Sequence, residues 1–489
     1  MPSTSLAVVD LGSNSFRLEV GRVEGAQIYQ LDTWRETLRI GASLDGRGRL
    51  KPAAMKSALA CLARFRERLS GLHPSAVRAV ATNTFRVATN AREFLRQAER
   101  ALGFPIDVIS GHEEARLIYF GVAHELPQSS EPRLVIDIGG GSTEFVIGRG
   151  LEPERLESLK IGCVGVTQRF FADGAITAVA LDAAETVARA EIEAIARDFG
   201  PRHWHAAYGS SGTALALADI LEQNGYSAGG ITPAGLARLR RKMLAAGHVS
   251  RLKLLALKGE RAPVLAGGLA IMTAAVAALQ VKRIDPVGGA LRLGVLYDLL
   301  GRTTDEDARE ATVERFMDRY GIDRPHALRV SELAATLYGG ATPNSDAALG
   351  RLVAWAGRLH EAGMSISHTG FHKHGAYILQ NADMPGFAAG DQARLAMLVY
   401  GCRGGLSKIA HALPDKQVRA AVLALRLAVI VHHARAEVAV PRIRLELAGR
   451  IRFGVAQRWL AAHPLSAYLL AKERNQWEAL GYPWRLGAR

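Results

Sequence analysis

Two stretches of this sequence are near copies of each other: AVVDLGSNSFRLEV at residues 7–20 and LVIDIGGGSTEFVI at residues 134–147. Each is typical of an apolar strand that ends in an aspartate, a turn, and a second strand with alternating apolar residues. Glycine-rich turns let backbone N–H groups approach an anion closely. Asp10 and Asp137 would repel a phosphate held there unless a divalent cation bridged them. The repeat therefore predicts two related lobes that hold a phosphate and a metal ion between them.

The two copies differ at an informative position. Gly12 matches Gly139, whereas Arg17 falls where Glu144 stands. One lobe thus offers a cation near the phosphate and the other a carboxylate, so the halves are not interchangeable. Either stretch alone is equally typical of an ordinary β-hairpin, but two copies with matching offsets favour a functional repeat.

These residues resemble the duplicated fold of actin-like ATPases and sugar kinases, and most of all the exopolyphosphatase/guanosine pentaphosphate phosphohydrolase family. The segments that carry the resemblance are VVDLGSNSFRL, VISGHEEARLIYFGV, LVIDIGGGSTEFVIG and GALRLGVLYD, followed by LHEAGMSISHTGFHKHGAYILQNADMPGF at residues 359–387. The resemblance covers nearly the whole chain. It implies an α/β fold with a duplicated ribonuclease-H-like (actin-like) two-lobe core, then an all-helical HD-like domain and a small C-terminal α+β tail.

Composition indicates a cytoplasmic protein, with peripheral membrane association as the alternative. The 489 residues predict roughly three or four domains, and 48% hydrophobic with 22% charged residues is ordinary for a globular protein. No run of about 18 apolar residues predicts a membrane span, and the N-terminus MPSTSLAVVD lacks a basic leader. Cys61, Cys163 and Cys402 are far apart and form neither metal-site spacing nor a disulfide framework.

The net charge of +14 predicts an anionic partner. Residues 233–262 hold eight lysines and arginines against one acid, and residues 324–489 hold 21 against 10. A solubilising surface is the simpler interpretation of such charge. No helix-turn-helix, zinc finger or aromatic-rich sheet motif supports a specific nucleic acid. A long inorganic polyanion requires the same charge without base readout.

The order of strand and helix patterns predicts the domains. Strands and helices alternate in a first lobe (1–127) and a second lobe (128–302), which includes a long helix at 175–199 and a strand at 205–218. Helical periodicity then dominates a domain at 303–440, and short strands with a final helix form a C-terminal domain at 441–489.

Hydrolysis of a phosphoanhydride bond needs a base, charge neutralisation and a metal. The resemblance places the water-activating role on Glu114, the second acid of SGHEEA. Two adjacent helical residues lie about 100° apart, so at most one of Glu113 and Glu114 faces a site. The alternative is that both acids only stabilise the helix N-terminus.

The predicted metal is Mg²⁺, with a monovalent cation such as K⁺ as a further candidate. Asp137 is its main ligand, supported by Glu144 and Asp10, because Mg²⁺ takes few carboxylates besides phosphate oxygens and water. The catalytic set is thus Glu114, Asp137 and Glu144. The predicted phosphate contacts are Ser13, Asn14, Ser15, Arg17, Arg86, Gly139, Gly140, Gly141, Ser142, Thr143, Gly209, Ser210, Ser211, Gly212, Thr213, Lys160 and Arg292.

A histidine-rich segment, HTGFHKHGAY at residues 368–377, follows His360 and Glu361. The helical region resembles the HD phosphohydrolase fold, in which His–Asp pairs hold metals. Here the pair is His–Glu, and LRLAVIV stands where that fold would supply an aspartate. We therefore favour a structural or polyanion-binding role for this region over a metal centre, and whether His360, His368, His372 and His374 bind anything stays open.

Exopolyphosphatase activity is the first prediction, with inorganic polyphosphate as partner and a homodimer implied by the resemblance. Removal of the γ-phosphate of guanosine pentaphosphate is the alternative in the same family. A superfamily kinase is disfavoured, because a base poised at the γ-phosphate would waste ATP. A non-enzymatic polyanion-binding module is disfavoured because Glu114, Asp137 and Glu144 are all present.

Overall fold

A computed structural model of the chain describes residues 5–24, 27–127, 129–303, 307–341, 344–435, 443–447 and 450–488. The chain divides into two compact units, Met1–Asp307 and Ala308–Arg489. We call them the first and the second unit. No helix among the described residues is long and apolar enough to cross a membrane.

The first unit contains two five-stranded sheets, one in each lobe. The strands of the first sheet are β1 (Ser5–Leu11), β2 (Ser15–Glu24), β3 (Gln27–Thr37), β4 (Val77–Ala81) and β5 (Ile106–Val108). Those of the second are β6 (Arg133–Ile138), β7 (Thr143–Arg149), β8 (Glu152–Leu159), β9 (Ala206–Ser210) and β10 (Asp285–Pro286).

The two sheets have the same topology. The first has the strand order β3-β2-β1-β4-β5, and the second has β8-β7-β6-β9-β10. In each, a three-stranded antiparallel meander is followed by two strands parallel to the first. The duplication predicted from the repeated stretch is therefore present in the sheets, and the predicted α/β two-lobe fold class is confirmed.

Helices cover both sheets. In the first unit they are α1 (Pro52–Leu69), α2 (Asn83–Val87), α3 (Ala91–Leu102), α4 (Gly111–Glu125), α5 (Cys163–Phe170), α6 (Ala178–Glu193), α7 (Ala196–Phe199), α8 (Ser211–Gln223), α9 (Pro233–Ala246), α10 (Leu265–Ala278) and α11 (Leu291–Thr303). One hydrophobic core combines residues of both sheets with α4 and α11, including Val8, Val135, Leu117 and Leu296. Burial of this shared core fixes the lobes, and hence their turns, against each other.

Two predicted elements of the second lobe differ in the structure. The strand predicted at 205–218 ends at Ser210, and helix α8 begins at Ser211. The alternation in TALALA imitates a strand, but Ala214, Leu217 and Leu221 are buried at helical spacing. The long helix predicted at 175–199 is α6 followed by the short α7.

The second unit is mainly helical, as predicted. Its helices are α12 (Ala308–Arg319), α13 (Arg324–Ala341), α14 (Ala347–Leu359), α15 (Phe371–Asn381), α16 (Ala389–Gly401), α17 (Lys416–Val431), α18 (Gln457–Ala462) and α19 (Pro464–Ala479). A small sheet follows in the order β11-β12-β13, with β11 (Arg444–Leu447), β12 (Ile451–Val455) and β13 (Trp484–Ala488). The strand after α19 was not predicted.

Side chains of the small sheet, such as Phe453 and Trp484, belong to the same hydrophobic core as the helices of this unit. The predicted domain boundary at 440/441 lies within residues 436–442, which are outside the described residues. Residues 448–449 and 489 of the predicted tail are outside them as well. The four domain ranges stay predictions.

Candidate active site

A cleft of about 360 Å³ opens between the two lobes of the first unit, at the turns of the two repeats. It falls within the about 300–1,000 Å³ that is common for ligand pockets. From the set predicted by sequence, the cleft is lined by Asp10, Ser13, Asn14, Ser15, Arg17, Glu114, Asp137, Gly139, Gly140, Gly141, Ser142, Ser211, Gly212, Thr213 and Arg292. Folding thus brings most of the predicted residues to one cavity.

The two turns are built alike. A Cβ at Gly12 would lie 3.0 Å from the Ser15 carbonyl oxygen, and a Cβ at Gly139 would lie 3.0 Å from the Ser142 carbonyl oxygen. Matching glycines are therefore needed to close matching turns.

The carbonyl groups of both turns are held by neighbouring segments. In the first turn, the carbonyls of Ser13 and Asn14 accept hydrogen bonds from backbone N–H groups of residues 38–41. In the second, those of Gly139 and Gly140 accept from N–H groups of residues 163–165. Because a trans peptide directs its N–H opposite to its carbonyl, the N–H groups of the same peptides point to the other side. Such runs of N–H groups form anion-binding nests.

The register of the hairpins shows where Arg17 and Glu144, the mismatched residues of the two copies, lie. Asp10 lies opposite Arg17 across strands β1 and β2, and Asp137 lies opposite Glu144 across β6 and β7. The two positions are thus equivalent in the fold, and they carry opposite charges.

Asp10 and Asp137 stand at the ends of the two central strands. Burial raises the pKa of Asp10, against the opposing effect of Arg292 and Arg17. The Oδ1 atom of Asp10 is buried and has no hydrogen-bond partner. Burial likewise raises the pKa of Asp137 to about 6, although the Ser210 hydroxyl donates to its Oδ2 and favours the charged form. An orphaned carboxylate oxygen beside a second carboxylate is a donor set that suits a hard divalent cation.

Glu114 lies in the first turn of α4. The Ser110 hydroxyl caps this helix by accepting from the Glu113 N–H at 3.1 Å, which fixes the start of the helix at the cleft. Glu114 is 7% exposed, and its Oε2 accepts a hydrogen bond from Arg86 Nη1 at 2.8 Å. Burial raises the pKa of Glu114 to about 7, and Arg86 opposes that shift. A carboxylate with a pKa near neutrality is suited to act as a general base.

The neighbouring acid, Glu113, points into a buried ion-pair network instead. Arg116 donates to both of its carboxylate oxygens, at 2.7 and 2.8 Å, and also to Asp298 at 2.5 Å. Arg78 donates to the second oxygen of Asp298 at 2.6 Å. This network links α4 to α11 and to β4, so it fixes the rotation of α4 that leaves Glu114 at the cleft.

A sequence model of the Ppx/GppA phosphatase family matches residues 20–303, which is more than half of the chain. The chain belongs to the Ppx/GppA phosphatase family. A second model, for domain III of Ppx/GppA phosphatases, matches residues 308–474. The predicted resemblance is thereby confirmed, and it extends into both units of this Ppx/GppA phosphatase.

Solved structures of similar proteins share the fold. The Aquifex aeolicus PPX-GPPA enzyme is 26% identical with a TM-score of 0.50, over 61% of this chain and 100% of that one. Another structure of the Aquifex aeolicus family member gives 24% identity and a TM-score of 0.51, over 62% of this chain and 99% of that one. An exopolyphosphatase from Cytophaga hutchinsonii gives 23% identity and a TM-score of 0.55, over 61% of this chain and 98% of that one.

Cations of this Ppx/GppA phosphatase line the cleft beyond the turns. Burial, together with Arg292, lowers the pKa of Arg17 to about 10. Sequence reasoning missed three further cations at the cleft, Arg35, Lys258 and Arg261. The excess of basic residues at 233–262 could have pointed to Lys258 and Arg261. No sequence signal pointed to Arg35, which lies on the edge strand β3.

Several predicted residues lie away from the cavity or behind its wall. Lys160 is exposed just after β8 and does not line the cleft. Gly209 lies inside β9, where a Cβ would come within 2.9 Å of Ala214 and Ile284, so its role in the structure is close packing. Thr143 is fully buried and donates to the Ile161 carbonyl at 2.6 Å.

Other predicted residues are engaged by neighbours. Ser210 donates to Asp137, and Arg86 donates to Glu114. Arg292 lines the cleft and donates to Glu19 at 2.8 Å.

Glu144 is a separate case. It is 1% exposed, does not line the cleft, and accepts a hydrogen bond from the Ser158 hydroxyl at 2.9 Å. Burial, with the nearby carboxylates of Glu114 and Asp137, raises its pKa well above the usual value. A raised pKa favours the neutral form of a carboxyl group, and that form is a poor ligand for a metal.

Proposed function

We propose that this Ppx/GppA phosphatase is an exopolyphosphatase, which removes terminal phosphate from inorganic polyphosphate by hydrolysis of a phosphoanhydride bond. The observation that carries the proposal is the position of Glu114. This base with a raised pKa shares one cleft with the two glycine-rich turns of the repeats. A base, two nests and a set of cations are what attack of water on a bound phosphoryl group needs.

In the proposed reaction, the terminal phosphate occupies the nests around Ser13–Ser15 and Gly139–Ser142. Glu114 accepts a proton from a water molecule, whose oxygen attacks the terminal phosphorus. The bond from that phosphorus to the bridging oxygen breaks, which releases orthophosphate and a chain shorter by one unit. Arg17 and Arg292 stabilise the charge that develops on the phosphoryl and leaving-group oxygens.

We also propose that Asp10 and Asp137 hold Mg²⁺ through their carboxylate oxygens. The orphaned Oδ1 of Asp10 and the sparse carboxylate set support this choice. When bound, such an ion neutralises phosphate charge. Glu144, opposite Asp137 across the hairpin, then acts as a hydrogen-bonding group and not as a metal ligand, a narrower role than the sequence predicted. A homodimer and a cytoplasmic location stay predictions.

Polyphosphate is favoured as substrate by the cations that continue past the turns. Arg35, Lys258 and Arg261 line the same cleft as Arg17 and Arg292. An extended polyanion would engage these cations through several of its phosphate units, with Arg35 exchanging its ion pair with Glu260. Guanosine pentaphosphate is the second candidate, because the apolar side chains of Ile118, Leu215 and Leu291 also line the cleft and offer packing surface to a base.

The test is phosphate release by the purified protein with Mg²⁺. Long-chain polyphosphate, guanosine pentaphosphate and ATP are supplied separately, and kcat/KM is measured for each. The Asp137→Asn protein, purified in parallel, reports any contaminating phosphatase. We expect the highest kcat/KM with polyphosphate. Turnover of guanosine pentaphosphate alone would replace the substrate assignment, and turnover of none would overturn the proposal.

A further inference from the structure

The second unit contains a buried group of metal-ligating side chains that the proposed hydrolysis does not use. It consists of His326, His360 and Glu361, whose ligand atoms all lie within 4.8 Å of one another. Among the described residues, it is the one set of three or more histidine, cysteine, aspartate and glutamate side chains that meets this distance. The three residues are 3%, 1% and 7% exposed, respectively. We call them the histidine cluster.

Two helices bring the histidine cluster together. His326 lies in the first turn of α13, while His360 and Glu361 directly follow α14. The sequence presents His360 and Glu361 as a pair and, without a further ligand, favours a structural or polyanion-binding role. It gives no reason to add His326, which changes that interpretation. Helix packing, by placing the start of α13 against the end of α14, supplies the third donor.

The geometry of the donors suits a small cation. The Nε2 atoms of His326 and His360 lie 3.7 and 3.8 Å from Glu361 Oε1. A tetrahedral zinc ion with bonds of about 2.0–2.1 Å separates neighbouring donor atoms by about 3.4 Å. The two histidine–glutamate separations therefore need to contract by only a few tenths of an ångström to suit a bound ion.

One histidine is already held in the orientation that metal binding requires. His360 Nδ1 lies 2.7 Å from the Gly357 carbonyl oxygen, so the proton sits on Nδ1 and the Nε2 lone pair points to the cluster. A backbone carbonyl behind a histidine is a usual outer partner of a metal ligand. His326 is buried as well, and its Nδ1 has no hydrogen-bond partner.

Arg435 borders the histidine cluster. Arg435 Nη2 donates to Glu361 Oε1, and Arg435 Nη1 lies 3.6 Å from Asp323. The Arg435 side chain is 42% exposed, so it has room to leave Glu361 when another cation arrives. Arg435 thus already provides a positive partner to the buried carboxylate, and a metal ion would compete with its guanidinium.

We propose that the histidine cluster binds a divalent transition-metal ion of the Zn²⁺, Mn²⁺, Fe²⁺ and Co²⁺ class. Two imidazoles and one carboxylate form a set that such ions accept, with coordination positions left open. Hard Mg²⁺ prefers oxygen ligands, so this site is chemically distinct from the carboxylates of the first unit. The proposal does not depend on which substrate the cleft hydrolyses.

The test is calorimetric titration of full-length, chelator-treated protein with Zn²⁺ in excess Mg²⁺, which competes for the oxygen-rich cleft. We expect one tight equivalent in the wild-type protein. Loss of an outer-shell partner of a metal ligand weakens metal binding by about 10- to 100-fold. His360→Ala removes a ligand itself, so it should weaken Zn²⁺ binding by at least this much. His411→Ala, which removes an exposed histidine of the same unit outside the cluster, should bind like the wild type.

A second variant separates loss of the site from loss of the fold. Arg435→Ala removes the competing cation, so Zn²⁺ binding should tighten by at least about fivefold, which a misfolded protein would not show. Co²⁺ bound to the wild type should give visible absorption bands that disappear in His360→Ala. Equal Zn²⁺ affinity in wild type, His360→Ala and His411→Ala would overturn the proposal. So would absence of tight binding by both the wild type and Arg435→Ala.

Discussion

The two copies of the strand–turn–strand repeat have one backbone plan and two electrostatic characters. In the first copy, Asp10 faces Arg17 across the hairpin, and one carboxylate oxygen of Asp10 has no partner. In the second, Asp137 faces Glu144, and serine hydroxyls donate to both acids. The comparison shows that one backbone plan forms two similar glycine-rich turns, and that a single cross-strand position gives the two copies opposite charges. The first lobe contributes a cation, and the second a hydrogen-bonded acid pair.

The largest effect should come from the strand-end aspartate of the second copy. Asp137→Asn removes a charge that we assign to metal binding, so kcat/KM for polyphosphate should fall by about 10²- to 10³-fold. Excess Mg²⁺ should recover part of the loss. Phosphate release across an Mg²⁺ titration checks this, with the exposed Asp198→Asn as the control in the same lobe. An unchanged Mg²⁺ dependence would remove Asp137 from the proposed metal site.

Replacement of Arg17, the cation of the first copy, should have the second-largest effect. Arg17→Gln removes a charged donor to phosphate, which is worth roughly a 10- to 100-fold loss in kcat/KM. The loss should appear for polyphosphate of every length, because Arg17 lines the cleft near the turns. Steady-state kinetics with short and long chains tests it. If only long chains lost activity, Arg17 would be assigned to binding of the distal part of the polyphosphate chain and not to the reacting phosphate.

Arg86, which donates to the proposed base Glu114, should influence how kcat/KM depends on pH. Arg86 favours the charged form of Glu114, so its removal raises the pKa of Glu114 further. In the wild type, kcat/KM should rise with pH as a group with pKa about 7 loses its proton. In Arg86→Met, that acidic limb should move upward by about one pH unit, which lowers the rate several-fold below the limb. Arg100→Met, on α3, is the control. An unmoved limb would mean that Glu114 is not the titrating base.

The smallest effect should come from the acid opposite Asp137. Burial raises the pKa of Glu144 and so favours the neutral form, which glutamine resembles. Glu144→Gln should therefore change kcat/KM by less than about threefold. Thermal melts would confirm that the variant is folded. A loss above about 10²-fold in a folded variant would instead make Glu144 a direct metal ligand or catalytic group. The two copies would then differ more sharply than we propose.

Much of the fold and of the cleft was predictable because the signal is local. The turns, the strand-end aspartates and the capped start of α4 are each encoded within a few neighbouring residues. By contrast, Arg35 and Arg261 reach the cleft through long-range packing of an edge strand and a loop. Sequence alone also could not tell that Glu144, opposite Asp137 across the hairpin, would be buried without lining the cleft.

The same limit applies to the second unit. His360 and Glu361 are neighbours in sequence, whereas His326 joins them only through the packing of α13 against α14. The prediction of a strand over residues 205–218 was wrong for a related reason. An alternating run of alanine and leucine is compatible with both the strand period and the helix period. Packing against the rest of the lobe favours the helix.

The most direct test of the account is Glu114→Gln, assayed for turnover and for binding in the same preparation. The change keeps the shape of the side chain and its contact with Arg86 but removes the base. We predict that phosphate release from polyphosphate falls by at least about 10²-fold, while the dissociation constant for polyphosphate stays within about threefold of the wild type. A variant that keeps more than about a tenth of the wild-type rate would contradict the assignment of Glu114 as the group that activates water.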